Sequence, residues 1–248
     1  MDKGKNIIQD AWLKDVMGRN VYKLAVNDVL LRRDNRWGNN LSKAMEEKGV
    51  FIYAKVPTHD IRSTRFLENK GFYLVDTNVT FEGSVSPGRD KTDSYAMRLA
   101  LKKDEKEVSE IARNSFIYSR FHLDPAFPAK VADQIKSEWV RNFFKGKRGD
   151  AMVIALQGKS IMGFLQLFCN NGILTIDQIA VSEKHQRRGI AVSMILYAQE
   201  HCKGIKSIRV GTQISNIPAM RLYEKLGLKV SGTSYVLHYH NLHHKEGQ

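Results

Sequence analysis

The run Ile176-Asp177-Gln178-Ile179-Ala180-Val181-Ser182-Glu183-Lys184-His185-Gln186-Arg187-Arg188-Gly189-Ile190-Ala191 decides the fold. Its first six residues read as the end of a strand and Gly189 opens a helix, with a polar turn between them. A strand that feeds a small-residue turn into a helix makes an anion site. The first helical N–H groups have no intrahelical acceptor, and the helix dipole adds partial positive charge there. Gly189 lets the backbone come close to a phosphate, Ala191 is small, and Arg187 and Arg188 add charge at the mouth. No Gly-Lys-Ser/Thr follows, so this is not a nucleotide P-loop. No G-x-G-x-x-G is present, so it is not a dinucleotide fingerprint. Taken alone, the run says only that an anion sits at a helix start.

Working outward, the spacing predicts a strand over 95–101, helices over 103–114 and 129–144, and strands over 151–157, 161–168 and 173–181. It then predicts a helix over 189–202, a strand over 207–212, a helix over 217–225 and a closing strand over 235–240. The order β-α-α-β-β-β-α-β-α-β is an α/β (α+β) layered architecture with a mixed sheet. Upstream, Gly83–Asp93 (GSVSPGRDKTD) reads as a linker. The expected organisation is an N-terminal module over 1–82, a linker over 83–93, a second domain over 94–242 and a polar tail over 243–248. In the first module, strands are expected over 20–26, 50–56 and 72–81. Helices are expected from Asn39 to Lys48 and from Thr58 or Asp60 to Lys70.

The two modules echo one another. Arg65-Phe66-Leu67-Glu68-Asn69-Lys70-Gly71-Phe72 parallels Arg221-Leu222-Tyr223-Glu224-Lys225-Leu226-Gly227-Leu228, each position 156 residues after its counterpart. Thr77 and Thr233 keep that register. The first module therefore reads as a truncated copy of the second module's C-terminal half. Leu67 stands where the second copy has Tyr223, and Asn35-Arg36-Trp37-Gly38-Asn39-Asn40 does not match the phosphate loop. The copy is expected to carry no site of its own.

The loop is similar to motif A of the GNAT acetyltransferase superfamily, Q/R-x-x-G-x-G/A. The segment Asn216-Ile217-Pro218-Ala219-Met220-Arg221-Leu222-Tyr223-Glu224-Lys225-Leu226-Gly227-Leu228 resembles that superfamily's motif B, N-x-x-A-x-x-L-Y-x-x-x-G-F. Ala191 replaces the second Gly and Leu228 the usual Phe. The resemblance covers about residues 95–240 and implies a GNAT fold, with a mostly antiparallel mixed sheet flanked by helices. It implies acetyl-CoA, or another short acyl-CoA, as co-substrate. The backbone of Ile179-Ala180-Val181 would receive the pantetheine arm. Gln186, Arg187, Arg188, Gly189, Ile190, Ala191 and Val192 would cradle the pyrophosphate, and Asn216 would bond the arm. Tyr223 would be the catalytic acid, since a phenol with pKa of about 10 is protonated at neutral pH; its other reading is a packed helix aromatic. Asp177 reads either as a base acting through water or as a solvated strand residue.

The whole chain resembles the dTDP-fucosamine acetyltransferase group of nucleotide-sugar N-acyltransferases. Ser115-Phe116 followed by Ser119-Arg120-Phe121 carries that likeness, together with the two-module layout and the first-module runs 54–57 and 71–77. The resemblance implies a dTDP-linked amino sugar as acceptor and a place in polysaccharide biosynthesis. Ser119, Arg120 and Phe121 would line the acceptor pocket, with Arg120 pairing a phosphate and Phe121 stacking on a base or sugar. An ordinary loop with one exposed Arg is the other reading. Another small amine, an antibiotic or a protein amine is the alternative acceptor.

Bulk properties fit a small phosphorylated ligand. The net charge is +13, from 39 basic and 26 acidic residues spread without a long run. This favours such ligands over nucleic acid. No apolar run approaches the roughly 20 residues that span a bilayer, and the N-terminus lacks a secretory pattern, so a cytoplasmic enzyme without membrane insertion is expected. Cys169 and Cys202 read as free thiols. No metal is expected. His238 and His240 alternate on a strand, yet with His243 and His244 they read as a solvated His-rich tail. A closing strand at the sheet edge would allow a homodimer.

Overall fold

The computed structural model of the chain describes residues 6–26, 35–84 and 95–242. Along the chain run β1 (Ile7–Gln9), α1 (Ala11–Met17), β2 (Val21–Leu24), α2 (Asn35–Glu46), β3 (Phe51–Pro57), α3 (Ile61–Asn69), β4 (Tyr73–Ser84) and β5 (Ala96–Leu99). There follow α4 (Glu105–Ser115), α5 (Arg120–Leu123), α6 (Ala129–Phe144), β6 (Ala151–Gln157), β7 (Ser160–Asn170), β8 (Ile173–Val181), α7 (Ile190–His201), β9 (Ser207–Gln213), α8 (Ile217–Lys225) and β10 (Lys229–His240). The tail over 243–248 and most of the expected linker lie outside the described residues.

The chain divides into two compact units, but not at a single cut. The first holds residues 1–78, 123–126 and 233–248; the second holds 79–122 and 127–232. The expectation from sequence is a linear boundary at 83–93. In the structure β4 and β10 each divide between the units: the second takes 79–84 and 229–232, the first 73–78 and 233–240. Nor is β10 a free edge: Ser234–His240 pair antiparallel with Phe51–Pro57. The closing edge on which a homodimer is expected is therefore already paired within its own unit.

In the first unit β1 pairs antiparallel with β2, and β2 runs parallel to β3. Leu24, Leu41, Val50, Ile52, Ala54, Val56, Leu67, Phe72 and Leu237 form its core. The sequence reading missed β1 and α1, although α1 has clear ends. Asp10 Oδ1 accepts from Leu13 N–H at 3.0 Å, and Gly18 closes the helix in the left-handed region.

In the second unit the strand order is β9-β8-β7-β6-β5, with residues 79–84 beside β9. Both sheet faces are covered. One packs Val153, Leu165, Leu167, Leu174 and Ile176 against α7 and α8; the other packs Met152, Ile154, Phe164 and Ala180 against α4 and α6. Full burial of each large apolar side chain stabilises by about 1.5–3 kcal/mol. Cys169 and Cys202, distant in sequence, meet with Sγ atoms 3.3 Å apart as free thiols.

The echo is structural as well. Helix α3 is capped by Asp60, whose Oδ1 accepts from Ser63 N–H; α8 is capped by Asn216, whose Oδ1 accepts from Ala219 N–H. Both helices end on a left-handed glycine, Gly71 at φ 87° and Gly227 at φ 82°. The closing bonds match: Gly71 N–H to Glu68 O and Phe72 N–H to Leu67 O, against Gly227 N–H to Glu224 O and Leu228 N–H to Tyr223 O.

Candidate active site

The site is built in the second unit by one irregular strand. Between β7 and β8 the register runs Phe164↔Ala180, Leu165↔Ile179, Gln166↔Gln178, then jumps to Leu167↔Ile176. Asp177 is the extra residue, a β-bulge that bends its strand and raises the local twist. The effect shows on the other side of β8. Its parallel ladder with β9 covers Ile173↔Ser207 to Ile176↔Val210 and stops there. From the bulge onward the two strands part.

The backbone on that edge faces the gap that the end of the ladder leaves. Ser182 N–H donates to Met162 O on β7 at 2.8 Å. Peptide groups alternate edges along a strand, so Ile179 and Val181 turn theirs to the side that β9 has left. An extended amide-bearing chain could pair there as an added strand. Gly163 holds β8 in place across the other edge. A Cβ on it would lie 2.7 Å from Ala180 O and 3.2 Å from Val181 Cα, closer than packing permits.

The opened edge leads into the anion turn. After a 3-10 turn over Glu183–His185, Arg187 (φ 61°) and Gly189 (φ 75°) both take left-handed conformations around Arg188. Such curled backbone turns successive N–H groups toward one point. Ser193 N–H makes a first intrahelical bond, to Gly189 O at 3.1 Å, which leaves Ile190, Ala191 and Val192 N–H at the mouth. Arg187, Arg188 and Gly189 are exposed, while Ile190 is buried and anchors the helix. Gln186 folds back, donating from Nε2 to Val181 O at 3.2 Å.

The other expected residues separate. Tyr223 on α8 is 2% exposed, and its ring packs against Phe81 with centroids 5.7 Å apart. Burial pushes its phenol pKa up, so the hydroxyl stays protonated through the neutral range. Asn216 is spent in part: its Oδ1 caps α8, leaving the side-chain amide as donor.

Asp177 is not a solvated strand residue. Arg148 donates from Nε to Oδ2 and from Nη2 to Oδ1, both at 2.7 Å, and Trp139 Nε1 and Gln166 Nε2 each donate to Oδ2 at 3.1 Å. The Arg148 guanidinium lies 4.4 Å from the Trp139 ring centroid and 5.5 Å from that of Phe168. Both carboxylate oxygens are thus engaged by protein donors, three on Oδ2 and one on Oδ1.

Phe121 is no stacking platform. The single turn of α5 points it inward at 1% exposure, edge-on to Phe127, with the Arg120 guanidinium 4.5 Å from its ring centroid. Ser119 is also buried and bonds His122 Nδ1 at 2.6 Å, while His122 Nε2 meets Asp133 Oδ1 at 3.0 Å. Since an ionised carboxylate only accepts, Nε2 carries the proton and Nδ1 accepts from the Ser119 hydroxyl. Burial, opposed by Asp133, lowers the pKa of His122.

In the first unit, His238 and His240 are not a solvated tail. They are almost fully buried, and both bond Asp124 Oδ2, at 2.6 and 3.0 Å. Tyr73 hydroxyl and Ala126 N–H complete the carboxylate through Oδ1. Burial alone would raise Asp124, but these four donors outweigh it and hold its pKa well below the carboxylate range. Arg19 reaches His240 Nδ1 at 3.3 Å and can only donate, so the ring proton is on Nε2. Two His and one Asp match a metal-ligand set in kind, but here the donors already fill the carboxylate and a guanidinium stands beside the ring. His243 and His244 lie outside the described residues.

Comparison with known proteins gives a consistent picture. Residues 114–228 match the model of the acetyltransferase (GNAT) family. The spore coat polysaccharide biosynthesis protein SpsD of Bacillus subtilis (strain 168) is 28% identical over 193 residues, 76% of this chain. That match spans 66% of the relative, slightly under two thirds of its length. The dTDP-fucosamine acetyltransferase of Escherichia coli O6:H1 is 24% identical over 190 residues, 75% of this chain and 80% of the relative. Among solved structures, a tandem GNAT protein from the clavulanic acid biosynthesis pathway superposes with a TM-score of 0.63 at 12% identity, a likeness of fold over 89% of this chain and 75% of that one.

Proposed function

From the premise that this chain carries an acetyltransferase (GNAT) family domain over residues 114–228, we propose that it moves an acetyl or related short acyl group from acyl-CoA to the amine of a nucleotide-linked amino-deoxy sugar. One observation supports the donor side above all. The ladder between β8 and β9 ends at the Asp177 bulge, and the edge so opened runs into the Arg187–Val192 turn. In this reading pantetheine amides pair with Ile179 and Val181, and the pyrophosphate rests on the Ile190–Val192 N–H groups with Arg187 and Arg188 at the rim. The acceptor class draws on the likeness to the dTDP-fucosamine and spore coat polysaccharide relatives.

The chemistry is direct transfer. The amine lone pair attacks the thioester carbonyl carbon and the C–S bond breaks. The sulfur leaves with the bonding electrons and takes the proton of the Tyr223 phenol. The nitrogen gives up one proton, which returns to the phenolate through water, so the products are an amide and free CoA thiol. Asp177 serves as a clamp on the bulge, not as the base. No helix among the described residues is long and apolar enough to cross a membrane, and we place the enzyme in the cytoplasm with its acyl-CoA supply.

The test is a thiol-release assay with acetyl-CoA and a panel of amines: dTDP-4-amino-4,6-dideoxygalactose, other amino-deoxy sugar nucleotides, glucosamine and a polyamine. Turnover confined to the sugar nucleotides is expected. Preference for a phosphate-free amine would replace the acceptor class by the alternative of a small amine or antibiotic.

A further inference from the structure

Two glutamines lie deep in the second unit with unsatisfied amide atoms. Gln166 on β7 and Gln178 on β8 are directly opposite one another, so their side chains share a sheet face. It is the face of their neighbours Phe164 and Ala180, which pack under α4 and α6. Gln166 is 0% exposed and Gln178 is 4% exposed. Gln166 Nε2 donates to Asp177, which can only accept, so the orientation of its amide is fixed and Oε1 is the end turned away. Among the described residues, Gln166 Oε1, Gln178 Oε1 and Gln178 Nε2 make no hydrogen bond. Gly149 leaves room for Gln166, since a Cβ there would lie 3.2 Å from its Cγ and from its Nε2. The amide of Gln166 is thus oriented by Asp177 while its other end stays unmatched. Folding gains nothing from three orphaned polar atoms in a packed interior; leaving them unmatched costs stability.

Their position gives them a use. Gln178 immediately precedes Ile179, the first residue of the opened edge. The adjacent carboxylate, Asp177, is neutralised by Arg148. We propose that the carbonyl oxygens of Gln166 and Gln178 receive the two N–H groups of the acceptor's primary amine, and that Gln178 Nε2 meets an oxygen beside it, as an amino sugar with a neighbouring hydroxyl would offer. This deepens the acyltransferase reading and rests on it. The chemistry favours amides over a carboxylate at this point. A carboxylate stabilises ammonium, which has no lone pair to attack with. Two neutral oxygens orient both N–H bonds of the free amine and leave its lone pair directed away from them, for the thioester. The pair acts by positioning and takes no proton.

Gln178→Met, close in volume and without amide atoms, and Gln178→Glu are the decisive variants. Both are measured on the full chain with acetyl-CoA and the wild type's best amine from the panel, and folding is checked by circular dichroism and CoA binding. With Gln178→Met, the acceptor KM should rise about tenfold, the worth of one or two neutral hydrogen bonds, while the KM for acetyl-CoA stays unchanged. With Gln178→Glu, the acidic limb of the kcat/KM profile should move to higher pH, because the new carboxylate holds the amine protonated. A merely structural glutamine predicts neither change. An acceptor KM within twofold of wild type in Gln178→Met overturns the proposal, and that variant decides alone should Gln178→Glu fail to fold. A wild type that binds CoA yet acylates no amine in the panel overturns the acyltransferase reading and this one with it. An active wild type with an indifferent Gln178→Met overturns this one only.

Discussion

Replacing Asp177 by Asn separates a clamp from a base. The side chain is 9% exposed and accepts four hydrogen bonds, two of them from one guanidinium. Asparagine keeps the shape but removes the charge and turns an NH2 group toward donors. A charge-assisted bond is worth roughly 1.5–3 kcal/mol net. Arg148 is 34% exposed and regains water when released, so the total should be discounted to about 2 kcal/mol. For a unit of this size that is a fall in Tm of roughly 4–8 °C. The bulge should relax with it, loosening the edge at Ile179 and Val181 and raising the KM for acetyl-CoA several-fold. Urea or thermal denaturation gives the first quantity and thiol release the second. With Asp177 as a clamp, the acidic limb of the pH–rate profile stays in place. A variant of unchanged stability that loses kcat by about a hundredfold or more and lacks that limb would refute it and restore Asp177 as the base.

Three further outcomes are expected. Tyr223→Phe keeps the ring against Phe81 and should retain CoA binding while kcat falls about a hundredfold or more; calorimetric CoA titration beside turnover would show this, and unchanged kcat removes the acid assignment. Gly163→Ala should force Ala180 O aside, costing about 1–3 kcal/mol and weakening acyl-CoA binding, seen as a lower Tm and a higher donor KM. Asp76 is buried with Oδ2 unpaired among the described residues, and burial raises its pKa to about 6. The folded state then holds a proton that the unfolded chain releases, so stability rises as pH falls through the window from about 6 to 4. Asp76→Asn should be more stable than wild type at pH 7, by up to about 3 kcal/mol, with the gap closing below pH 4 in urea melts.

Periodicity found α6, β6, β8 and α8 to the residue because each has a strong apolar pattern with marked ends. The anion loop was equally plain, since Gly189 and its strand and helix are contiguous. What stayed hidden is long-range. Asp124 lies 114 residues from His238, and Arg148 lies 29 from Asp177, so only a folded chain puts these pairs in contact. The bulge was hidden for a different reason: Leu174, Ile176, Gln178 and Ala180 alternate as in an unbroken strand, yet the cross-strand register slips at Asp177. Phe121 was misassigned because a lone aromatic in a loop carries no sign of which way one helical turn will aim it.

The slip at Asp177 also bears on how such a site could arise or vanish. In the first unit the counterpart strands, β2 and β3, pair in parallel from Val21↔Phe51 to Leu24↔Ala54, as many pairs as join β8 and β9, and Leu67 fills the place of Tyr223. Both copies keep a capped helix, a left-handed glycine and a following strand. Among the described residues, the second unit differs by the Asp177 bulge and by Tyr223. On the acyltransferase reading, losing Asp177 would remove the bend that opens the edge of β8, while Leu174 and Ile176 keep their places in the core. The capped helix, the left-handed glycine and the strand after it are thus the frame that the two units share, and the bulge and Tyr223 are the part that differs.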